Sequence, residues 1–178
     1  MHANAKTGTG TPDLCAEFRS AMGRLASSVT LITTVDGDSS PHGLAATAFS
    51  SVSMDPASVL ICVNRSASAS PVIRKTKLFC VSLLQSEHEK ISTIFSRSDM
   101  RGQRFVEGDW KAGIHGIRYL VDAQAAIFCE VAHEIEHGTH TIIVGNVIDV
   151  VLPDVQEPLV YVGGRYRRLE TPTSIVRQ

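Results

Sequence analysis

The sequence predicts a mainly β fold, an antiparallel β-barrel with helices at its ends. Strand-like stretches rich in β-branched residues recur along the chain, about six of them against about three helical segments. The links between successive strands are short and turn-rich, as hairpins need, whereas a doubly wound sheet needs a helical crossover after each strand. The chain's 178 residues, 43% hydrophobic and 20% charged, suffice to bury one core. A single domain over residues 11–170 is expected, between a leader at 1–10 and a tail at 171–178.

Residues 1–10 are small and polar without periodicity and read as a disordered leader. Thr11-Pro12-Asp13 combines an N-cap, a first-turn proline and an early acid, which starts a helix. Leu14, Phe18, Met22 and Leu25 then follow at helical spacing and give it one apolar face. From Val29 the period becomes two: Val29, Leu31, Thr33 and Val35 alternate with Thr30, Ile32 and Thr34. Asp36-Gly37 and Ser39-Ser40-Pro41 are turn chemistry, so a second extended stretch, 43–53, should run back beside the first. Asp55-Pro56 turns the chain into a third strand, 58–63. Ser68-Ala69-Ser70-Pro71 opens a short helix to about Thr76. Residues 78–84 are apolar on both faces, hence a central strand. A helix over 86–96 buries Ile91, Ile94 and Phe95. Residues 96–116 keep no period and are anchored by Phe105 and Trp110; a loop this long in a compact domain covers a site. Strands around 119–137, 139–151 and 159–162 complete the chain, broken by Gly138 and Pro153-Asp154.

Lys+Arg number 17 against 18 Asp+Glu, without the basic surplus of a nucleic-acid binder. The longest apolar run, Val59 to Val63, falls far short of the ~20 residues of a membrane span. The first residues lack the apolar middle of a signal peptide, so a cytoplasmic protein with neither nucleic-acid nor membrane partner is expected. Cys15, Cys62, Cys80 and Cys129 form no C-x-x-C pair and sit beside apolar residues, which predicts buried reduced thiols.

His133-Glu134-Ile135-Glu136-His137 matches the zinc-protease pattern H-E-x-x-H, whose chemistry needs a helix to bring both imidazoles to one metal. The flanks, Ile127 to Val131 and Thr141 to Val144, are strand-like. On a strand, residues four apart stand roughly 13 Å from each other, so no metal site is expected. The sequence has no phosphate-binding G-x-x-x-x-G-K-[ST], no dinucleotide G-x-G-x-x-G after a strand and no G-x-S-x-G nucleophile elbow. Among the other histidines, His42, His88 and His115 are expected at the surface or in turns.

The richest polar stretch is Gly43 to Ser53, where Ala45, Ala46 and Ala48 leave the backbone bare and hydroxyls follow. Small side chains let a flat object approach closely; packing against a helix would use them equally well. The next strand ends in Asn64-Arg65-Ser66-Ala67-Ser68-Ala69-Ser70-Pro71, a hydroxyl-rich loop opening a helix, which suits an anion such as phosphate.

In order along the chain, these stretches resemble the short-chain flavin reductases that serve two-component flavin-dependent monooxygenases. Phe18-Arg19 with Ser28 to Thr34 is similar to that family's opening helix and first strand, Gly43 to Ser53 with Asp55-Pro56 to its flavin-binding strand, and Cys62 to Arg65 with Ser68 and Ser70-Pro71 to the loop that follows. Arg104-Phe105, Gly138-Thr139-His140 with Gly145-Asn146-Val147, and Pro158 to Tyr161 with Gly164-Arg165-Tyr166 resemble its later motifs. The resemblance implies a split β-barrel of antiparallel Greek-key type, a homodimer holding FAD or FMN near the subunit interface, NADH as electron donor, and a separate monooxygenase that receives the reduced flavin. It also implies site roles. Ala46, Thr47, Ala48, Phe49, Ser50 and Ser53, with Cys62 and Val63, would cradle the isoalloxazine. Asn64, Ser68 and Ser70 would meet the ribityl-phosphate end, with Arg104 as charge partner and Phe105 as a wall. His140 would touch the nicotinamide as the catalytic residue, and Tyr166 would line the same pocket. One departure stands out: Thr139 occupies the position where the family commonly has an acid, so the orientation an acid gives His140 must come from elsewhere. The rival readings are a non-catalytic flavin carrier or sensor on the same barrel and a vitamin-B6-type oxidase, the latter needing a basic phosphate site that the sequence does not display.

Overall fold

In the computed structural model, whose described residues are 13–154 and 157–169, the chain is mainly β. The expected leader, Thr11-Pro12 and the 171–178 tail lie outside the described residues. Helix α1 spans Leu14–Gly23 and is capped by Asp13, whose carboxylate accepts from the Cys15 N–H at 3.1 Å. The strands are β1 (Ser27–Ser28), β2 (Thr30–Val35), β3 (Pro41–Ala46), β4 (Phe49–Met54), β5 (Ala57–Asn64), β6 (Leu78–Leu83), β7 (Trp110–Ala112), β8 (Arg118–Leu120), β9 (Ala125–His137), β10 (His140–Val151), β11 (Val160–Val162) and β12 (Arg165–Arg167). Helix α2 (Ser70–Thr76) precedes β6, and α3 (Glu89–Ser96) follows it after a short turn of 3-10 helix. All pairings are antiparallel, as the hairpin reading expects.

One expected strand is two. Seven strands pair in the order β3-β2-β6-β9-β10-β5-β4, which puts β3 and β4 at opposite edges of one sheet. Yet only Thr47-Ala48 separates them in sequence. Edges of a flat seven-stranded sheet would lie about 29 Å apart at ~4.8 Å per strand, while the link from Ala46 to Phe49 reaches at most about 11 Å. The sheet therefore curls until its two edges meet at this corner, where β3 and β4 form no ladder with each other.

The alternation of β2, β5, β6 and β9 places Ile32, Ile61, Phe79, Val81 and Cys129 in one buried cluster inside the curl. Leu31, Leu84, Phe95, Leu120 and Leu159 form a second under α3. Strand β6 lies between β2 and β9 and is buried on both faces, the central position its apolar run predicts.

Several expectations change. The apolar face of α1 is not buried: Leu14, Phe18, Met22 and Leu25 are all exposed, because no other part of the described chain covers that side. The stretch 119–137 breaks at a turn over 121–124, leaving β8 separate and paired with β7 inside the long loop region. Cys80 and Cys129 are buried, but Cys15 is exposed and Cys62 half-buried. His88 is buried rather than at the surface; its Nδ1 accepts from the Gln85 N–H at 3.1 Å and its Nε2 stands 3.2 Å from the Asp122 carboxylate, which satisfies both ring nitrogens. His133 and His137 lie on β9, and among the described residues no group of His, Cys, Asp and Glu could hold a metal. No described helix is long and apolar enough to cross a membrane.

Candidate active-site cleft

The corner at Thr47-Ala48 floors a cleft of about 370 Å³. The β2–β3 ladder ends at Thr30–Ala46 and the β4–β5 ladder begins at Phe49–Ile61, so the Thr47 and Ala48 amides fall outside both registers. The Ala48 carbonyl is used, accepting from the Cys62 N–H at 3.1 Å. Ala45, Ala46 and Ala48 line this floor with nothing larger than a methyl group, so the backbone itself is the surface.

One wall is the end of β5. Cys62 and Asn64, two residues apart, share the cleft face, while Val63 between them points into the core and is fully buried. The Asn64 Oδ1 accepts from the Ser66 N–H at 2.9 Å and the Ser66 hydroxyl at 2.8 Å, which closes the loop and leaves its Nδ2 amide as the group to offer a ligand. His140 enters β10 directly opposite Asn64, with its Nδ1 2.9 Å from the Thr139 hydroxyl. The opposite wall is α3 and the last strands. Ser92 and Ser96, one turn apart on α3, face the cleft; the Ser92 Oγ and Tyr166 hydroxyl are 2.9 Å apart, and Tyr161 packs edge-on against Tyr166 with centroids 5.3 Å apart.

The structure thus gathers Ala46, Thr47, Ala48, Cys62, Asn64, His140 and Tyr166 around one cleft. It places the other sequence candidates elsewhere. Phe49 and Ser50 line a neighbouring hollow of about 530 Å³ that shares Thr47 and Ala48 and is walled by Leu25 and Leu60, without an ionisable group. The Ser53 hydroxyl donates to the Asp55 carbonyl, inside its own turn. Ser70 is buried at the start of α2. Ser68, Arg104 and Phe105 line a third hollow of about 440 Å³, with His42 and Arg101. There the Arg104 guanidinium donates to the carbonyls of Gly43 at 2.7 Å and of Phe95 and Arg97 at 3.0 Å, and lies 5.6 Å from the Phe95 ring centre. Burial, then the neighbouring Arg101 charge, lower its pKa from the ordinary arginine value. Its donors hold the backbone, so it ties β3 to α3; Arg101, in no ion pair among the described residues, is the freer cation of that hollow. Sequence reasoning missed Ser92, Ser96 and Tyr161. The i, i+4 spacing of the two serines on a helix with an otherwise apolar buried face was the available signal.

Residues 22–170 match the family model described as a flavin reductase like domain. The chain is 36% identical over 160 residues to the FMN reductase (NADH) RutF of Stutzerimonas stutzeri, covering 90% of this chain and 91% of that protein. It is 34% identical over 150 residues to the reductase component of the FADH(2)-dependent resorcinol hydroxylase of a Rhizobium species, covering 84% of each. Among solved structures, the NADH:FAD oxidoreductase SgcE6 of Streptomyces globisporus, in complex with NAD and FAD fragments, superposes with a TM-score of 0.83 at 32% identity, over 92% of this chain and 97% of that one. A match over most of the chain, on a cleft built from bare backbone and hydroxyls, leaves one conclusion: the chain belongs to the flavin reductase-like domain family.

Proposed function

We propose that the chain is an NADH-dependent flavin reductase, a split-barrel homodimer that passes hydride to FAD or FMN and supplies the reduced flavin to a separate monooxygenase. The cleft carries the reading: a floor of alanine backbone open to a flat ring, two unladdered amides at its corner, hydroxyls on one wall and an imidazole on its lip. That arrangement fits a flavin. A bound flavin supplies the hydride acceptor, so the residues of this chain work by position and charge rather than by covalent chemistry. The Thr47 and Ala48 amides and the Thr47 hydroxyl would donate to the polar rim of the ring, where negative charge grows on reduction. The Asn64 amide would hold the ribityl side, and His140 would contact the nicotinamide. Tyr161 and Tyr166 would close the apolar face and exclude water. Relatives named FMN reductase (NADH) and the reductase component of a hydroxylase support both the donor and the destination of the electrons.

Steady-state assay with NADH and either flavin tests this. The expected result is NADH consumption far above the background of free flavin, saturable in flavin. A protein that binds flavin yet leaves NADH consumption at background would instead be a carrier.

A further inference from the structure

Thr139 stands in the two-residue turn between β9 and β10, its hydroxyl 2.9 Å from Nδ1 of His140. The turn is held from outside. Gly138 adopts φ +55°, the left-handed conformation that glycine permits. The Arg65 N–H donates to the Thr139 carbonyl at 3.0 Å, and the Arg65 guanidinium donates to the Gly138 carbonyl and, at 3.2 Å, to the Glu136 carboxylate. With the backbone tied at both residues, Thr139 presents its hydroxyl to the ring while His140 lines the cleft opposite Asn64.

A neutral imidazole has one proton for two nitrogens, so one donates and the other accepts. A carboxylate beside Nδ1 can only accept; it draws the proton to Nδ1 and leaves Nε2 an acceptor, or makes the ring charge. A hydroxyl can donate. When it donates to Nδ1, the proton stays on Nε2, the form that imidazole side chains prefer in water, and no charge is required. We propose that Thr139 is the positioning residue of His140: its hydroxyl donates to Nδ1, holds the ring at the cleft, and fixes the neutral tautomer whose Nε2–H donates to the nicotinamide carbonyl. The proposal rests on the reading of His140 as the nicotinamide contact, and it gives this chain a neutral donor where an acidic neighbour would set the opposite tautomer.

Ring nitrogen-15 NMR of His140 in the ligand-free protein, at about pH 8 where imidazole is neutral, reads the tautomer directly. Wild type and Thr139→Ser should show Nε2 protonated; Thr139→Asp should move the proton to Nδ1, and Thr139→Val should give a mixture. In turnover, Thr139→Val should raise KM for NADH by about 5-fold, the worth of one hydrogen bond, with a smaller loss in kcat, and Thr139→Ser should restore it. A wild-type ring protonated at Nδ1 overturns the proposal, and so does a Thr139→Val protein with the wild-type tautomer and KM. Because the NMR measurement needs no substrate, it decides the tautomer even if the reductase reading itself fails for want of turnover.

Discussion

Cys80 and Cys129 lie on the paired central strands β6 and β9, sealed by Phe79 and Phe128. Burial, then the nearby Cys129, raises the Cys80 thiol pKa well above its ordinary value, and burial pushes Cys129 up to about 12. A folded pKa above the unfolded one means that the folded state holds the proton longer. This contribution to stability is full below the unfolded thiol's value, ~8.5, and is lost as pH rises from there toward about 12 for Cys129. Two results should follow. Neither thiol should react with an alkylating reagent in the native protein, as read by mass spectrometry, and both should react after unfolding. Denaturation midpoints should also fall between pH ~8.5 and ~10, less so in Cys129→Ala; equal falls would assign the alkaline loss to other groups. At this scale the sequence was legible where a residue's neighbours share its fate, as the apolar strands around Cys80 and Cys129 do. It was not legible for His88, whose burial depends on a carboxylate 34 positions away at Asp122. Nor was it legible for Arg104, a charge partner by sequence, because the carbonyls it holds come from two places far apart in the chain, Gly43 on β3 and the Phe95 and Arg97 end of α3.

Alternation and capping residues made most elements readable, including β2, β5, the central β6 and the buried side of α3. The corner between β3 and β4 was hidden for a physical reason. Ala46-Thr47-Ala48-Phe49 contains no glycine, proline or asparagine to mark a turn, and the break exists because Ala46 pairs with Thr30 while Phe49 pairs with Ile61 on another strand. Partners that distant leave no local trace, yet this break makes the cleft floor. The contact between β3 and α3 sets the cleft's width. A Cβ on Gly43 would lie 2.8 Å from Phe95 Cε1 and 3.0 Å from the Ile32 carbonyl, so the helix can approach the strand this closely only over a glycine. Gly43→Ala should force Phe95 and α3 outward at a cost of about 1–3 kcal/mol. Because α3 carries Ser92 and Ser96 into the cleft, flavin affinity should fall together with the melting temperature. A stable variant with unchanged flavin affinity would show that α3 does not frame the ligand.

For the whole molecule, the apolar residues that no element covers are the informative ones. Leu14 is 77% exposed and Phe18 63% on α1, Met54 85% on β4, and Leu152 77% just past β10. Val52 and Val150 are also exposed. Scattered apolar residues at a surface need no explanation, but a helix whose entire apolar stripe faces water does, since the pattern that folds it calls for a partner surface. The hollow beside the cleft adds to this. It shares Thr47 and Ala48 with the cleft, is walled by Leu25, Phe49 and Leu60, and carries no charged group among its lining. A second copy of the chain laid over this side would cover the apolar stripe and close the cleft floor from behind, as the homodimer proposal requires. Light scattering should therefore give twice the chain mass at micromolar concentration. Phe18→Asp combined with Met54→Asp should shift the protein to monomer, because each charge would be buried without a partner in the interface. Neither residue lines the cleft, so loss of flavin turnover in that monomer would mean that the site is complete only in the pair. A wild-type monomer with full turnover would sink the dimer, and the exposed stripe of α1 would then belong to some other partner.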